Sequence, residues 1–371
     1  MTVIRMSEKR LVPKLRFCMF TSVWEQHKLK NVAPLQRGFD LPKVKIKEGP
    51  YPVLFSNGIG GWNSEYKAKA PGVVTGRSGS IGNVVFIEQN YWPHNTSLWV
   101  TNFFDNYPRY VYYLYQHIDL SKFGTGSGVP TLNRNDVHDY SVIIPHSEEQ
   151  TRIANFFKNI DDIIALQQQL LNDHKQLKKA MLQKMFPKKE ETVPIIRFSD
   201  FVDEWKESNL GSIAEMYQPQ TISKDDLIDI GIPVFGANGY IGYYNSENHK
   251  NDQVTISARG EKAGNPSFVK GPVWITGNSM VINIDKNNDM DKYFLFQSLL
   301  SSSLKKFVTG GAQPQLTRDV LIKVPIKISE INEQQKIGDF FKQLDKTIDL
   351  HQKKLETYQE LKKAMLQKMF V

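Results

Sequence analysis

Two arginines framed by glycine stand out in this 371-residue chain: Arg77 in GRSGSIGN (76–83) and Arg259 in ARGEKAGN (258–265). Glycine beside arginine lets a backbone approach phosphate, and a guanidinium can pair bidentately with a guanine edge in the major groove. The two arginines fall at equivalent places, each with an asparagine six residues on, Asn83 and Asn265. Ser78 and Ser80 share the first loop, and Lys262 the second. A second pair of stretches, TGSGVPTLNR (125–134) and TGGAQPQLTR (309–318), adds Asn133 and Arg134 on one side and Gln313, Gln315, Thr317 and Arg318 on the other. Together these are the candidate DNA-binding residues. Any one of them fits an exposed position on a tight hairpin turn equally well. Asn57-Gly58 and Asn238-Gly239 are turn signals, and Trp24 and Trp205 suit a core better than a base-stacking platform.

Signals for catalysis are missing. GTGSG (124–128) contains G-x-G-x-G, but no strand–loop–helix unit or later acidic ribose partner accompanies it. There is no G-x-x-x-x-G-K-[ST], no H-x-x-x-H pair, no G-x-S-x-G elbow and no NPPY-like tetrapeptide of the kind amino-methyltransferases use on a flipped adenine. A stand-alone nuclease or methyltransferase is therefore disfavoured. The single cysteine, Cys18, makes neither an internal disulfide nor a zinc site alone. No apolar run reaches membrane-spanning length and MTVIRMSEKR lacks a signal-peptide core, so a cytoplasmic protein without a membrane partner is expected. Net charge is +8 but uneven: residues 1–146 carry 17 Lys and Arg against 10 Asp and Glu, whereas 193–328 carry 14 against 15. The basic first part suits nucleic acid; the neutral later part leaves its phosphate contacts few or locally clustered.

The elements that must position these loops are duplicated. LKKAMLQKMF occurs at 177–186 and again at 361–370, and EQTRIANFFKNIDDIIALQ (149–167) matches EQQKIGDFFKQLDKTIDLH (333–351) at the same offset of 184. VPKLRF (12–17) matches VPIIRF (193–198), and YPVLFSNGIGG (51–61) resembles IPVFGANGYIG (232–242). The chain is two copies of one unit, each a variable body followed by a near-identical helix. Residues 148–186 contain no Gly or Pro and predict one long helix, stopped by Pro187; the second runs to the end of the chain. Ser147 with Gln150, and Asn332 with Gln335, offer capping boxes.

An apolar seam runs through Ile153, Phe157, Ile160, Ile164 and Leu171, and its copy through Ile337, Phe341, Leu344, Ile348 and Leu355. Gln167, His174 and His351 interrupt it. Either each helix packs on its own body, or the two stripes pair as an antiparallel coiled coil of roughly 54 Å. The bodies carry short strand signals at PVLF, GVVTG, NVVFIE, DQVTIS, PSFV and MVINI, with helices at 108–118 and 290–308. The expected class is α+β: two mostly-β domains alternating with two long paired helices in a pseudo-two-fold repeat. The boundaries fall at 1–146, 147–192, 193–328 and 329–371.

Two divergent bodies alternating with two near-identical helices, P-x-[LI]-R-F…W opening each body and LKKAMLQKMF closing each helix, resemble the specificity subunit of type I restriction–modification enzymes. The resemblance covers essentially the whole chain. It implies that the bodies are target recognition domains, each reading half of a bipartite gapped site in double-stranded DNA, and that the helices set the spacer. It also implies docking of two methylation subunits and of restriction subunits. This chain would then be catalytically silent and bind no cofactor: S-adenosylmethionine would sit on the methylation subunits, ATP and Mg on the restriction subunits. The competing expectation is a tandem-domain protein-binding scaffold with the same helices as a stalk, distinguished by a weak salt dependence of any DNA binding.

Overall fold

A computed structural model describes residues 12–126, 128–310 and 314–371. Gln313 lies outside the described residues. The chain divides into two compact units. The first runs through Gln167 and adds Lys354–Val371; the second is Gln168–Lys353. Each long helix therefore contributes its opening to one unit and its LKKAMLQKMF end to the other.

Both units repeat one β-architecture. In the first, a four-stranded antiparallel sheet has the order Leu35–Arg37, Ser97–Val100, Gly72–Gly76, Val84–Ile87. A three-stranded sheet places Tyr51–Phe55 between Gly58–Asn63 (antiparallel) and Trp92–Pro93 (parallel). A ribbon of Glu25–Lys28 and Ser141–Ile144 closes the body. The second unit has the same orders: Glu215–Tyr217, Ser279–Asn283, Gln253–Ser257, Pro266–Val269, and Gly239–Tyr244, Ile232–Gly236, Trp274–Ile275. Its ribbon is Lys206–Asn209 with Pro325–Ile328. Even the bulge is repeated, between Val53 and Leu54 and between Val234 and Phe235. GVVTG and QVTIS are buried throughout, as central strands covered on both faces should be.

Helix Pro108–Ile118 spans the predicted residues. The predicted helix over 290–308 is shorter, Lys292–Ser302, and a separate 3-10 turn, Leu304–Phe307, follows Ser303 at φ +47°. The long helices are Ser147–Lys184 and Ile331–Met369. They do not start with the expected capping boxes. Gln150 turns into the body instead, accepting from Tyr107 N at 2.9 Å and donating to Asn106 and the Pro145 carbonyl. Gln334, not Gln335, repeats this, accepting from Asp291 N and donating to the Asp289 and Ser329 carbonyls. The Gln150 amide, buried with three partners, cannot also reach back over the helix end, and Asn332 already lies inside the second helix, which starts at Ile331.

Within each unit the two helix segments are antiparallel. In the first, Phe157 meets Phe370 and Asp161 meets Lys362. In the second, Phe341 meets Phe186, Asp345 meets Lys178 and His351 stacks on His174 with ring centroids 5.1 Å apart. The seam residues are buried except Ile164 and Ile348, which are half-buried. The two seam histidines, each half-buried, cover one another.

The decapeptides have identical burial, position by position, in both copies. Each ends with a buried Met-Phe: Met369 and Phe370 join the core of Trp24, Tyr110 and Phe157, while Met185 and Phe186 join that of Trp205, Phe294 and Phe341. Phe370 stacks on Tyr110, and Phe186 lies 5.5 Å from Phe294. Intramolecular packing thus accounts for half the repeated motif.

Candidate nucleic-acid interface

Four loop segments converge in each body. In the first, Arg77 N and Ser78 N donate to the Thr96 carbonyl, Thr96 Oγ1 accepts from Ser56 N beside the Asn57-Gly58 turn, and Ser78 bridges to Thr131. In the second, Ala258 N donates to the Asn278 carbonyl, Ser257 Oγ to Ala237 beside the Asn238-Gly239 turn, and Arg259 bridges to Gln315. The glycines are required. A Cβ on Gly76 would lie 1.8 Å from the Ser80 carbonyl oxygen, and Gly79, Gly82, Gly260 and Gly264 all hold φ between +80° and +84°. Of GTGSG, Ser127 lies outside the described residues, and Gly124–Thr125 pairs with Thr131–Leu132 in a short ribbon.

The backbone hydrogen bonds revise the equivalence of the two arginines. Leu132 N donates to Arg77 O, and the matching bond in the second body runs from Leu316 N to Ala258 O. Gly79 N to Pro130 O corresponds to Gly260 N to Pro314 O. Structurally, then, Arg77 matches Ala258 and Ser78 matches Arg259. The second loop carries one extra residue before its asparagine, so matching the Arg-Gly and Asn letters slips the register by one. In extended backbone a one-residue slip reverses the side-chain direction. Arg77 is accordingly half-buried and Arg259 exposed.

The remaining candidates divide. Ser80, Asn83, Lys262 and Thr317 are exposed, and Ser78, Asn265 and Gln315 half-buried, around the converging loops. Lys262 Nζ reaches the Asn238 carbonyl at 3.4 Å, joining two of the loops. Asn133 is committed to capping helix Arg134–Asp139, accepting from Asn135 N, with Arg134 exposed beside it. Arg318 Nε is held by the Met216 carbonyl at 2.9 Å. Exposed apolar residues on the strand after each turn were missed: Ile59 and Trp62 in one body, Tyr240 and Tyr243 in the other. The members of each pair are three residues apart in GIGGWN and GYIGYY, which breaks the period-two pattern of a strand face and hides them from it.

The motif residues have an internal explanation. Arg16 of VPKLRF forms a bidentate pair with Glu149 at 2.7 Å, and Trp24 Nε1 donates to the same carboxylate. Arg197 of VPIIRF repeats the pair with fully buried Glu333. Each hydrogen-bonded carboxylate holds its guanidinium's pKa above the ordinary value. Asp161 and Asp345 each join a body tyrosine, Tyr113 or Tyr293, to a decapeptide lysine, Lys362 or Lys178. Among the described residues no cluster of three or more His, Cys, Asp or Glu could hold a metal, and no helix is long and apolar enough to cross a membrane.

Comparison with known proteins agrees with this duplicated layout. The family model described as the type I restriction modification DNA specificity domain matches twice, over residues 21–176 and 202–360. A putative type I specificity subunit of Mycoplasma genitalium is 22% identical over 94% of both chains, and one of Mycoplasma pneumoniae 24% identical over 90% of this chain and 96% of its own. The MjaVIII specificity subunit of Methanocaldococcus jannaschii is 20% identical over 65% of this chain and 64% of its own length, just under two thirds. The crystal structure of a type I restriction–modification S subunit from M. genitalium superimposes with TM-score 0.77 over 97% of this chain and 99% of that one, at 19% identity. A structure described as underlying assembly and conformational transition of the type I system gives 0.53 over 93% of this chain and 97% of that one, at 14% identity. With two matches that together span most of its length, the chain belongs to the type I restriction–modification DNA specificity family.

Proposed function

We propose that each body reads one half of a bipartite, gapped site in double-stranded DNA, so that this chain sets the sequence specificity of a restriction–modification complex. One observation carries the reading: the same four-segment loop platform is built twice, from the same strand order and the same backbone bonds, but presents different side chains. Fixed scaffold with variable loops is how one fold serves different recognition tasks. The exposed decapeptide positions, including Leu177, Lys179, Leu361 and Lys363, present the same surface twice and suit two identical methylation subunits. Restriction subunits complete the assembly in the cytoplasm. The chain itself contributes no catalytic group; S-adenosylmethionine belongs to the methylation subunits, ATP and Mg to the restriction subunits. The test is a genome-wide map of methylated adenines with and without the gene. Loss of methylation at one gapped motif on deletion is expected. An unchanged map in a strain expressing the subunits would overturn the reading and favour a protein-binding scaffold.

A further inference from the structure

We infer that the segment Lys43–Lys47 of the first body is a phosphate clamp on the DNA duplex, and that the second body lacks it. The inference rests on the DNA-reading function proposed above. The two bodies share a 3-10 turn ahead of the three-stranded sheet: Lys43–Lys45 in one, Lys224–Asp226 in the other. Their backbones match bond for bond, Ile46 N to Lys43 O and Leu227 N to Lys224 O. Their charges are opposite. Residues 43–50 carry three lysines and one glutamate, whereas 224–231 carry one lysine and three aspartates. The bodies differ by eight charges in all, +7 for 1–146 and −1 for 193–328, and this one turn supplies four of them, +2 against −2.

Lys43, Lys45 and Lys47 are exposed, and none forms an ion pair among the described residues. Val44 stands between them 93% exposed. Three unpaired ammonium groups within a chain span of at most ~13 Å match successive phosphates of one strand.

The turn is rigidly placed relative to the loops. Lys47 N donates to Asn63 Oδ1 at 3.0 Å and Ser64 N to the Lys47 carbonyl at 2.8 Å. These bonds fix the turn to the far end of strand Gly58–Asn63, whose near end is the Asn57-Gly58 turn of the loop platform. Six residues of strand span ~20 Å. With loops in a major groove ~12 Å wide, that distance takes the lysines past its edge onto the flanking backbone.

The test uses the full chain in complex with its methylation subunits and duplex carrying the mapped motif. Binding is measured against salt for wild type and for Lys43→Gln/Lys45→Gln/Lys47→Gln. The wild type should show a steep log–log slope, and the variant a slope smaller by about 2 to 3, because each neutralised phosphate contributes ~0.9. The methylated motif should stay the same, since phosphate contacts position the protein without specifying bases. Lys→Arg at all three positions should restore the slope. An unchanged slope in the glutamine variant, with wild type still steep, overturns the clamp alone. A wild type that binds this DNA without salt dependence overturns both the clamp and the DNA-reading function.

Discussion

Arg259 projects from an exposed position where the first body has Ser78, while Arg77 sits half-buried where the second has Ala258. One extra residue between Ala258 and Asn265 produces this difference, and under the proposed function it makes the arginines unequal candidates for base contact. An exposed guanidinium on a converging loop can reach a base edge; a half-buried one is less accessible to it. Arg259→Ala is therefore expected to cost ~1–3 kcal/mol of binding and to relax one position of the second half-site, leaving the first half-site intact. Arg77→Ala should weaken binding less. Methylation mapping of each variant decides the matter, and relaxation of both half-sites by either single change would count against independent reading. The arginines themselves were visible in the sequence, but their pairing was not, because letter matching cannot register a single insertion within a loop. Nor could it show that Asn133 is a helix cap and that Arg318 is tied to a carbonyl.

Among the elements, the two long helices were the most legible, since a 3.6-residue period unbroken by Gly or Pro has few alternatives. The stripe gave the seam but left pairing as one of two alternatives; the structure shows the segments paired antiparallel as well as packed on the bodies. What the stripe could not say is which body each helix end belongs to. The repeated decapeptide reads as a partner-docking surface, yet its last two residues are core: Phe370 is 4% exposed among Tyr110, His117 and Phe157, and Phe186 is 6% exposed among Trp205, Phe294 and Phe341. An apolar residue at a helix end looks alike in sequence whether it meets a partner or its own chain. Phe370→Ala should destabilise the first unit by about 3–5 kcal/mol, as truncating a buried aromatic does. Hydrogen exchange should show the loss at Tyr110–Ile118 and not at Lys292–Ser302, with Phe186→Ala giving the reverse pattern. Equal loss in both units from either change would mean that the two cores are not separately supported.

At the scale of the whole molecule, the duplication makes the helices interchangeable hosts for either body. The second core draws Met181, Leu182, Met185 and Phe186 from one helix and Ile337, Phe340 and Phe341 from the other. The first draws Met365, Leu366, Met369 and Phe370, with Ile153, Phe156 and Phe157. These are the same residue types at the same helix positions. The ion pairs that lock body to helix are duplicated too, Arg16 to Glu149 and Arg197 to Glu333. A chain in which residues 12–144 replace 193–328 should therefore fold, because most helix contacts the transplanted body needs are already present, the buried exceptions being Ala154 and Ile160, which become Gly338 and Leu344. It carries its own lock, Arg16 for Arg197, to meet Glu333. Its methylated motif should contain the first half-site twice and the second not at all. Retention of the original second half-site would place its reading in the helices rather than the body. Failure to fold would be informative only beside the converse chain, with 193–328 in place of 12–144. If that chain folds and reads the second half-site twice, the helices host either body and the defect lies in one junction. If both chains unfold, the two bodies are fitted to their own helices in ways the matched cores do not reveal, and specificity could not be exchanged between them.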